Sequence, residues 1–321
     1  MKIFVTRKIP DLGIEKLKAA GHEVIVSEKD GALTHEELIA QLQAINPDAV
    51  LSLLTDKIDA SAFDAAPNAK IFANYAVGFD NIDLEEARKR NVMVTNTPDV
   101  LTEAVAEHTV ALILAVGRKI VESDKFLRNG NYEGWDPMLL LGMEFKGKTL
   151  GIVGCGRIGQ RVAEIMHKGF GMSVIYYDER QNDQLESTLE ANFVPKLEDL
   201  LTEADVVTIH LPATPATKHL FSAERLSLMK KTALLINTAR GTIIDEAALA
   251  GILESNGIAG AGLDVFENEP DVHPALLTLS NVIVTPHTAS ATREARDRMS
   301  VMAADNIIAV LDGQTPPNSV L

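Results

Sequence analysis

The chain has 321 residues, 46% hydrophobic and 23% charged, a balance that excludes bulk disorder and a length that suits two globular domains. Asp and Glu number 45 against 30 Lys and Arg, so the formal charge is −15, which argues against nucleic acid as a partner. An anionic small substrate would need its own cation inside a pocket.

A lone cysteine, Cys155, excludes an internal disulfide and a thiolate metal cluster and fits a reducing compartment; no metal site is expected. The opening MKIFVTRKIP reads as a strand start without the apolar core and cleavage site of a signal peptide. The longest oily stretch, around residues 110–117, is far shorter than the roughly 18 residues that span a bilayer. The expectation is a cytoplasmic protein with no membrane partner.

In chain order, the β-rich runs KIFVT, HEVIVS, DAVLSLL, AKIFANY and VMVTN alternate with amphipathic or capped helical segments, the rhythm of a parallel α/β sheet. Thr34 and Glu37 form a capping box that opens the helix HEELIAQLQAI, and Asp83 begins LEEARKR in the same way. The segment from Leu101 to Arg118 is apolar nearly all round and is expected between the domains. After Lys148 a second series follows: TLGIVG, SVIYYD, DVVTIHL, ALLINT, GAGLDV and NVIVTP. Residues 289–311 then read as one long helix returning to the first domain. The spacing predicts two doubly wound parallel-sheet domains, 1–98 with 288–321 and 99–287, with crossings at Thr97–Pro98 and Thr285–Pro286, where proline breaks the strand pattern.

Only the second series opens on a glycine fingerprint, GCGRIG, with Gly154, Gly156 and Gly159 between a strand and a helix. The first glycine permits the tight turn, the second lets a pyrophosphate approach backbone amides at the helix start, and the third allows close packing. Asp178 ends the next strand, about 20 residues on, where a ribose-binding acid is expected. Its carboxylate accepts from ribose hydroxyls and repels a 2′-phosphate, which favours NAD(H). Arg180 partly offsets that repulsion, so NADP(H) stays open as the weaker alternative.

Three further motifs lie just beyond predicted strands of the second series: NTARG (237–241), LDVFENEP (263–270) and TPHTAS (285–290). Ligands bind at such carboxyl ends, so Arg240, Glu269 and His287 are candidates for one cleft. Taken singly they read as a surface arginine, an acidic turn residue and a packed loop histidine. Their joint position sets them apart.

With NYAVGFDNID, GCGRIG, HLP (210–212), NTARG, LDVFENEP and TPH in this order and spacing, the chain resembles the D-isomer-specific 2-hydroxyacid dehydrogenases over essentially its whole length. The resemblance implies two Rossmann-like domains, a flavodoxin-like substrate domain interrupted by the NAD-binding one, and a homodimer. It also implies that Arg240 binds substrate, Glu269 supports the histidine and His287 is the acid or base. Arg157, Ile158, His210, Pro212, Thr217, Thr238, Ala239, Arg240, Asp264, His287 and Ala289 correspond to cofactor-lining positions. Val77 and Gly78 correspond to backbone amides that hold the substrate carboxylate.

Elementary chemistry leads to the same roles. A guanidinium grips a carboxylate and the adjacent carbonyl in one plane, and a charged histidine donates a proton as hydride arrives. A carboxylate on the other ring nitrogen fixes the tautomer and favours the imidazolium. His210 is expected as a wall of the site and Cys155 as a small apolar filler.

The stretch GWDPMLLLGMEFKGKT around Trp135 resembles the glyoxylate and hydroxypyruvate reductases, in which this tryptophan borders a neighbouring subunit's pocket. The expectation is an NADH-preferring reductase of glyoxylate and hydroxypyruvate, with reduction of a phosphoglycerate-type or bulkier 2-oxo acid, or NAD(H) sensing without turnover, as alternatives. Ala289 departs from the glycine many such reductases carry after the histidine. Glu269 argues against formate as substrate, since formate dehydrogenases have glutamine there.

Overall fold

Short runs of β-branched and apolar residues form twelve strands, all parallel, in the computed structural model, which describes residues 1–321. The chain divides into two units, Met1–Leu101 with Ala291–Leu321, and Thr102–Ser290.

In the first unit the strands are β1 (Lys2–Val5), β2 (Glu23–Val26), β3 (Ala49–Ser52), β4 (Ile71–Asn74) and β5 (Met93–Thr95). Their order, β2-β1-β3-β4-β5, is that of a flavodoxin-like sheet. β3 and β4 are buried along their whole length, as strands covered on both faces must be. Helices α1 (Asp11–Ala19), α2 (His35–Ile45), α3 (Ala60–Ala65) and α4 (Leu84–Arg90) connect them. The Thr34–Glu37 capping box is formed, and Asp83 accepts from the Glu86 amide at the start of α4. The carboxyl-terminal helix at Arg293–Leu311, capped by Thr292, packs on α1 and on β3, β4 and β5.

The second unit contains α5 (Thr102–Gly117), α6 (Ile120–Arg128), β6 (Thr149–Val153), α7 (Arg157–Phe170), β7 (Ser173–Tyr177), α8 (Asp183–Leu189), β8 (Asn192–Phe193), α9 (Leu197–Glu203) and β9 (Val206–Ile209). It continues with α10 (Ala223–Leu226), β10 (Leu234–Asn237), α11 (Glu246–Glu254), β11 (Gly260–Leu263), α12 (Pro274–Thr278) and β12 (Val282–Val284); the helix at Arg293–Leu311 is α13. The order β12-β11-β10-β9-β6-β7-β8 is the dinucleotide-binding arrangement, with its topological switch point between β6 and β9.

Six strands are expected here from sequence and seven are present. The extra one, β8, is a two-residue edge strand too short to show a period. Its pairing with Ile175 and Tyr176 and the Phe193 ring on Tyr176, centroids 5.4 Å apart, create it. α5 packs against α7 and against β10, β11 and β12. It lies close because Gly262 on β11 has no side chain: a Cβ there would stand 3.1 Å from Leu112 Cβ. No helix is long and apolar enough to cross a membrane.

Candidate active site

The candidate site is built from loops at the carboxyl edge of the second sheet. After β6 the chain turns at Gly154 with φ +96°, and a Cβ there would meet the His210 backbone carbon at 2.8 Å. Glycine is therefore required for both the turn and the contact. Gly156 caps α7, and a Cβ built on it would meet nothing within 4 Å. That open backbone at a helix start fits a pyrophosphate. Arg157 and Ile158 begin the helix, the first exposed and the second half-buried, with Gly159 buried behind them.

Asp178 follows β7 and is tied to the glycine turn: Oδ2 accepts from the Cys155 amide at 2.6 Å and Oδ1 from the Glu179 amide at 2.7 Å. This fixes the carboxylate at the strand end where a ribose would lie. Cys155 is buried, and burial pushes its thiol up to about 12. At the end of β9, His210 Nε2 lies 2.9 Å from Thr208 Oγ1, and burial pushes its imidazole down to about 3. It is neutral, which suits a wall rather than a proton carrier. Pro212 and Thr217 close one turn, the Thr217 hydroxyl donating to Pro212 O at 2.7 Å.

The NTARG loop is folded by Asn237, fully buried at the end of β10. Its Nδ2 donates to Arg240 O at 2.9 Å and its Oδ1 accepts from the Ala239 amide at 3.0 Å. Arg240 Nη1 donates to Ala239 O at 2.8 Å. Next to it, Gly241 lies against the loop after β11, where a Cβ would overlap Phe266 C at 1.8 Å. The missing side chain thus lets the loops carrying Arg240 and Glu269 pack backbone to backbone.

Glu269 uses both oxygens. Oε1 accepts from the Phe266 amide at 3.0 Å and Oε2 faces His287 Nδ1 at 2.9 Å. Burial acts to raise the Glu269 carboxyl, but the His287 hydrogen bond and charge, the Phe266 amide and the Arg240 charge outweigh it and hold it below 4.5. A carboxylate only accepts, so Nδ1 of His287 carries a hydrogen and Nε2 is left without an intrachain partner. The side chains are 26% and 32% exposed, shielded yet open to a small molecule.

His287 sits at φ 52°, a conformation that costs a non-glycine residue of order 1–3 kcal/mol and needs outside support. Asp264, with no exposed surface, supplies it. Its Oδ1 accepts from Thr285 Oγ1 at 2.6 Å and the Thr288 amide at 2.8 Å, and its Oδ2 from the Ala289 amide at 2.8 Å. The His287 amide donates to Asp264 O at 2.8 Å. Burial acts to raise this carboxyl, and His108, Thr285 and the two amides hold it below 3.8. Asp264 thus shapes the loop that presents His287.

In the first unit, Val77 and Gly78 follow β4. Asn96 Nδ2 donates to Val77 O at 2.8 Å and Asn74 Nδ2 to Gly78 O at 2.9 Å. Asn81 bonds to Asn74 and to the carbonyls of Leu53 and Asp56. Both carbonyls are thus held by side chains, which fixes this loop after β4. Trp135 is 83% exposed, near the exposed Tyr132, Met138 and Leu141.

The second unit therefore brings Arg240, Glu269, His287, Asp264 and Ala289 together, and joins Asp178 and His210 to the glycine turn. Sequence reasoning passed over Asn74, Asn81, Asn96 and Asn237 as organisers. For Asn74 and Asn237 the available signal was asparagine at a strand end, where it folds its own backbone; Asn81 and Asn96 instead reach carbonyls 19 or more positions away.

Residues 110–289 match the model of the D-isomer specific 2-hydroxyacid dehydrogenase NAD binding domain. A glyoxylate reductase of Thermofilum pendens is 50% identical over 319 residues, covering 98% of this chain and 93% of that protein. The TT0316 protein of Thermus thermophilus superposes with a TM-score of 0.93 at 43% identity, covering 100% of both chains. An NADPH-dependent glyoxylate/hydroxypyruvate reductase of Sinorhizobium meliloti, in complex with NADP and malonate, gives 0.86 at 35% identity, covering 99% of this chain and 96% of that one.

Proposed function

The chain belongs to the D-isomer-specific 2-hydroxyacid dehydrogenases, and from that premise we propose that it reduces glyoxylate and hydroxypyruvate to their 2-hydroxy acids with NADH preferred over NADPH. The observation that carries this reading is the His287–Glu269 pair at 2.9 Å on the sheet edge that also bears the glycine turn.

A bound nicotinamide supplies the hydride to the carbonyl carbon. Arg240 grips the substrate carboxylate and the carbonyl oxygen in a planar fork and polarises the carbonyl. His287 Nε2 donates its proton to the oxygen as negative charge develops there, and Glu269 stabilises the imidazolium from Nδ1 until that proton leaves. The Val77 and Gly78 amides donate to the substrate carboxylate. In oxidation the same residues act in reverse.

For the cofactor, the residues assigned are Gly154, Gly156, Arg157, Ile158 and Gly159 at the pyrophosphate, Asp178 at the ribose, and His210, Pro212, Thr217, Thr238, Ala239, Asp264 and Ala289 along the rest. Asp178 supports the NADH preference because a fixed carboxylate repels a 2′-phosphate. The Sinorhizobium relative is NADPH-dependent by its name, so the cofactor preference is read from this chain's own Asp178. The exposed Tyr132, Trp135, Met138 and Leu141 support a homodimer that covers them.

The test is NADH and NADPH consumption with a panel of 2-oxo acids. Glyoxylate and hydroxypyruvate with NADH are expected to give the highest kcat/KM. Tight NADH binding without consumption would favour a sensor, and a bulky 2-oxo acid turned over faster would move the substrate assignment.

A further inference from the structure

Two consecutive residues of α5, His108 and Thr109, have no part in the chemistry above, yet each reaches a different loop of the candidate site. His108 Nε2 lies 3.1 Å from Thr285 Oγ1 and 3.5 Å from Asp264 Oδ1. Thr109 Oγ1 lies 2.8 Å from Thr238 Oγ1. Successive residues of an α-helix point about 100° apart, which is how neighbours on one helix touch two separate loops.

Hydrogen bookkeeping orients both contacts. The Thr285 hydroxyl has one hydrogen, given to the Asp264 carboxylate at 2.6 Å, so in the contact with His108 it accepts and Nε2 of His108 donates. The Thr109 hydroxyl gives its hydrogen to Val105 O at 2.8 Å, so Thr238 donates to Thr109. Thr238 is then left with lone pairs only, an acceptor toward any group bound beside it. Both α5 side chains therefore hold a hydroxyl in one orientation. Thr285 stands two residues before His287 and Thr238 two before Arg240.

We propose that His108 and Thr109 are positioning residues: α5 braces the loops carrying His287 and Arg240 against each other, and so sets the spacing of the acid and the substrate-binding cation. This rests on the catalytic reading above. The support is needed because His287 occupies a left-handed conformation and because both loops leave the ends of strands against which α5 is packed.

The experiment pairs amide hydrogen exchange of the protein alone with kinetics. His108→Leu removes the Nε2–H donor, and His108→Gln keeps a donor on a side chain of similar reach. His108→Leu is expected to accelerate exchange at the 287, 288 and 289 amides about tenfold with the 239 amide unmoved. It is also expected to lower kcat about tenfold or more with NADH affinity within twofold. His108→Gln should restore most of both.

Thr109→Val, nearly the same shape, is expected to show the opposite pattern, faster exchange at 239 with 287–289 unmoved. Exchange unchanged in both variants, acceleration spread evenly over the whole unit, or a His108→Gln variant as impaired as His108→Leu would each overturn the proposal. The exchange arm requires no turnover. A wild-type protein inactive on 2-oxo acids would therefore remove the catalytic reading while the brace itself is still judged by exchange.

Discussion

At the carboxyl edge of the first sheet, the loop after β4 is held by three asparagines, Asn74, Asn81 and Asn96, two of which take its carbonyl oxygens while the third ties it to neighbouring loops. At the carboxyl edge of the second sheet stand Asp178, Arg240, Asp264, Glu269 and His287, and the loops are held by a carboxylate, an asparagine and a brace from a helix. Both sheets are parallel and doubly wound, so the architecture itself does not separate their roles. The side chains placed at strand ends do, as expected when function is grafted on a common scaffold. Neutral amide side chains hold a loop by its carbonyls, whereas the charged set includes groups that can carry a proton.

The largest test of that division is Arg240→Ala. It should lower kcat/KM for glyoxylate by about 10³-fold with NADH affinity nearly unchanged, because the partner proposed for it is the substrate. An equal collapse of NADH binding would reassign the arginine to the cofactor. Asp178→Ala should reduce the NADH over NADPH preference about tenfold, the scale of a lost hydrogen bond to a charged group; an unchanged ratio would remove Asp178 from cofactor choice. On the other sheet, Asn96→Ala should raise the KM for glyoxylate about fivefold with a smaller change in kcat. No change in KM would break the assignment of the 77–78 amides to the carboxylate.

A pH series gives the smallest effect and probes the carboxylates of the second edge. Asp264 and Glu269 are held below their ordinary 3.8 and 4.5. Their contribution to stability is fully present above those values and is lost as pH falls through the lower folded ones. Thermal denaturation should thus show a decline in Tm below about pH 4 that Asp264→Asn partly removes. A variant with the same acid slope as the wild type would contradict the role of Asp264 as a carboxylate held ionised by its loop.

The parallel-sheet class was legible in the alternation of β-rich and capped helical runs, because period and capping are local properties. Capping boxes such as Thr34–Glu37 are carried by four residues and need no tertiary context. The glycine turn was legible because the positive φ of +96° at Gly154 is a local backbone demand. β8 was not, since two residues show no period and pairing alone creates the strand. The bracing residues His108 and Thr109 were also hidden: each acts on a partner that the fold, rather than the sequence neighbourhood, brings to it. His108 and Thr285 are 177 positions apart, and nothing in either residue's surroundings announces the contact.

The most direct measurement is single-turnover NADH oxidation with glyoxylate by wild type and His287→Gln, with NADH affinity read in parallel. If His287 supplies the proton, the variant binds NADH within about twofold of wild type yet slows the chemical step by at least about 10²-fold. A variant that oxidises NADH within a few-fold of the wild-type rate would contradict the assignment of the proton to His287.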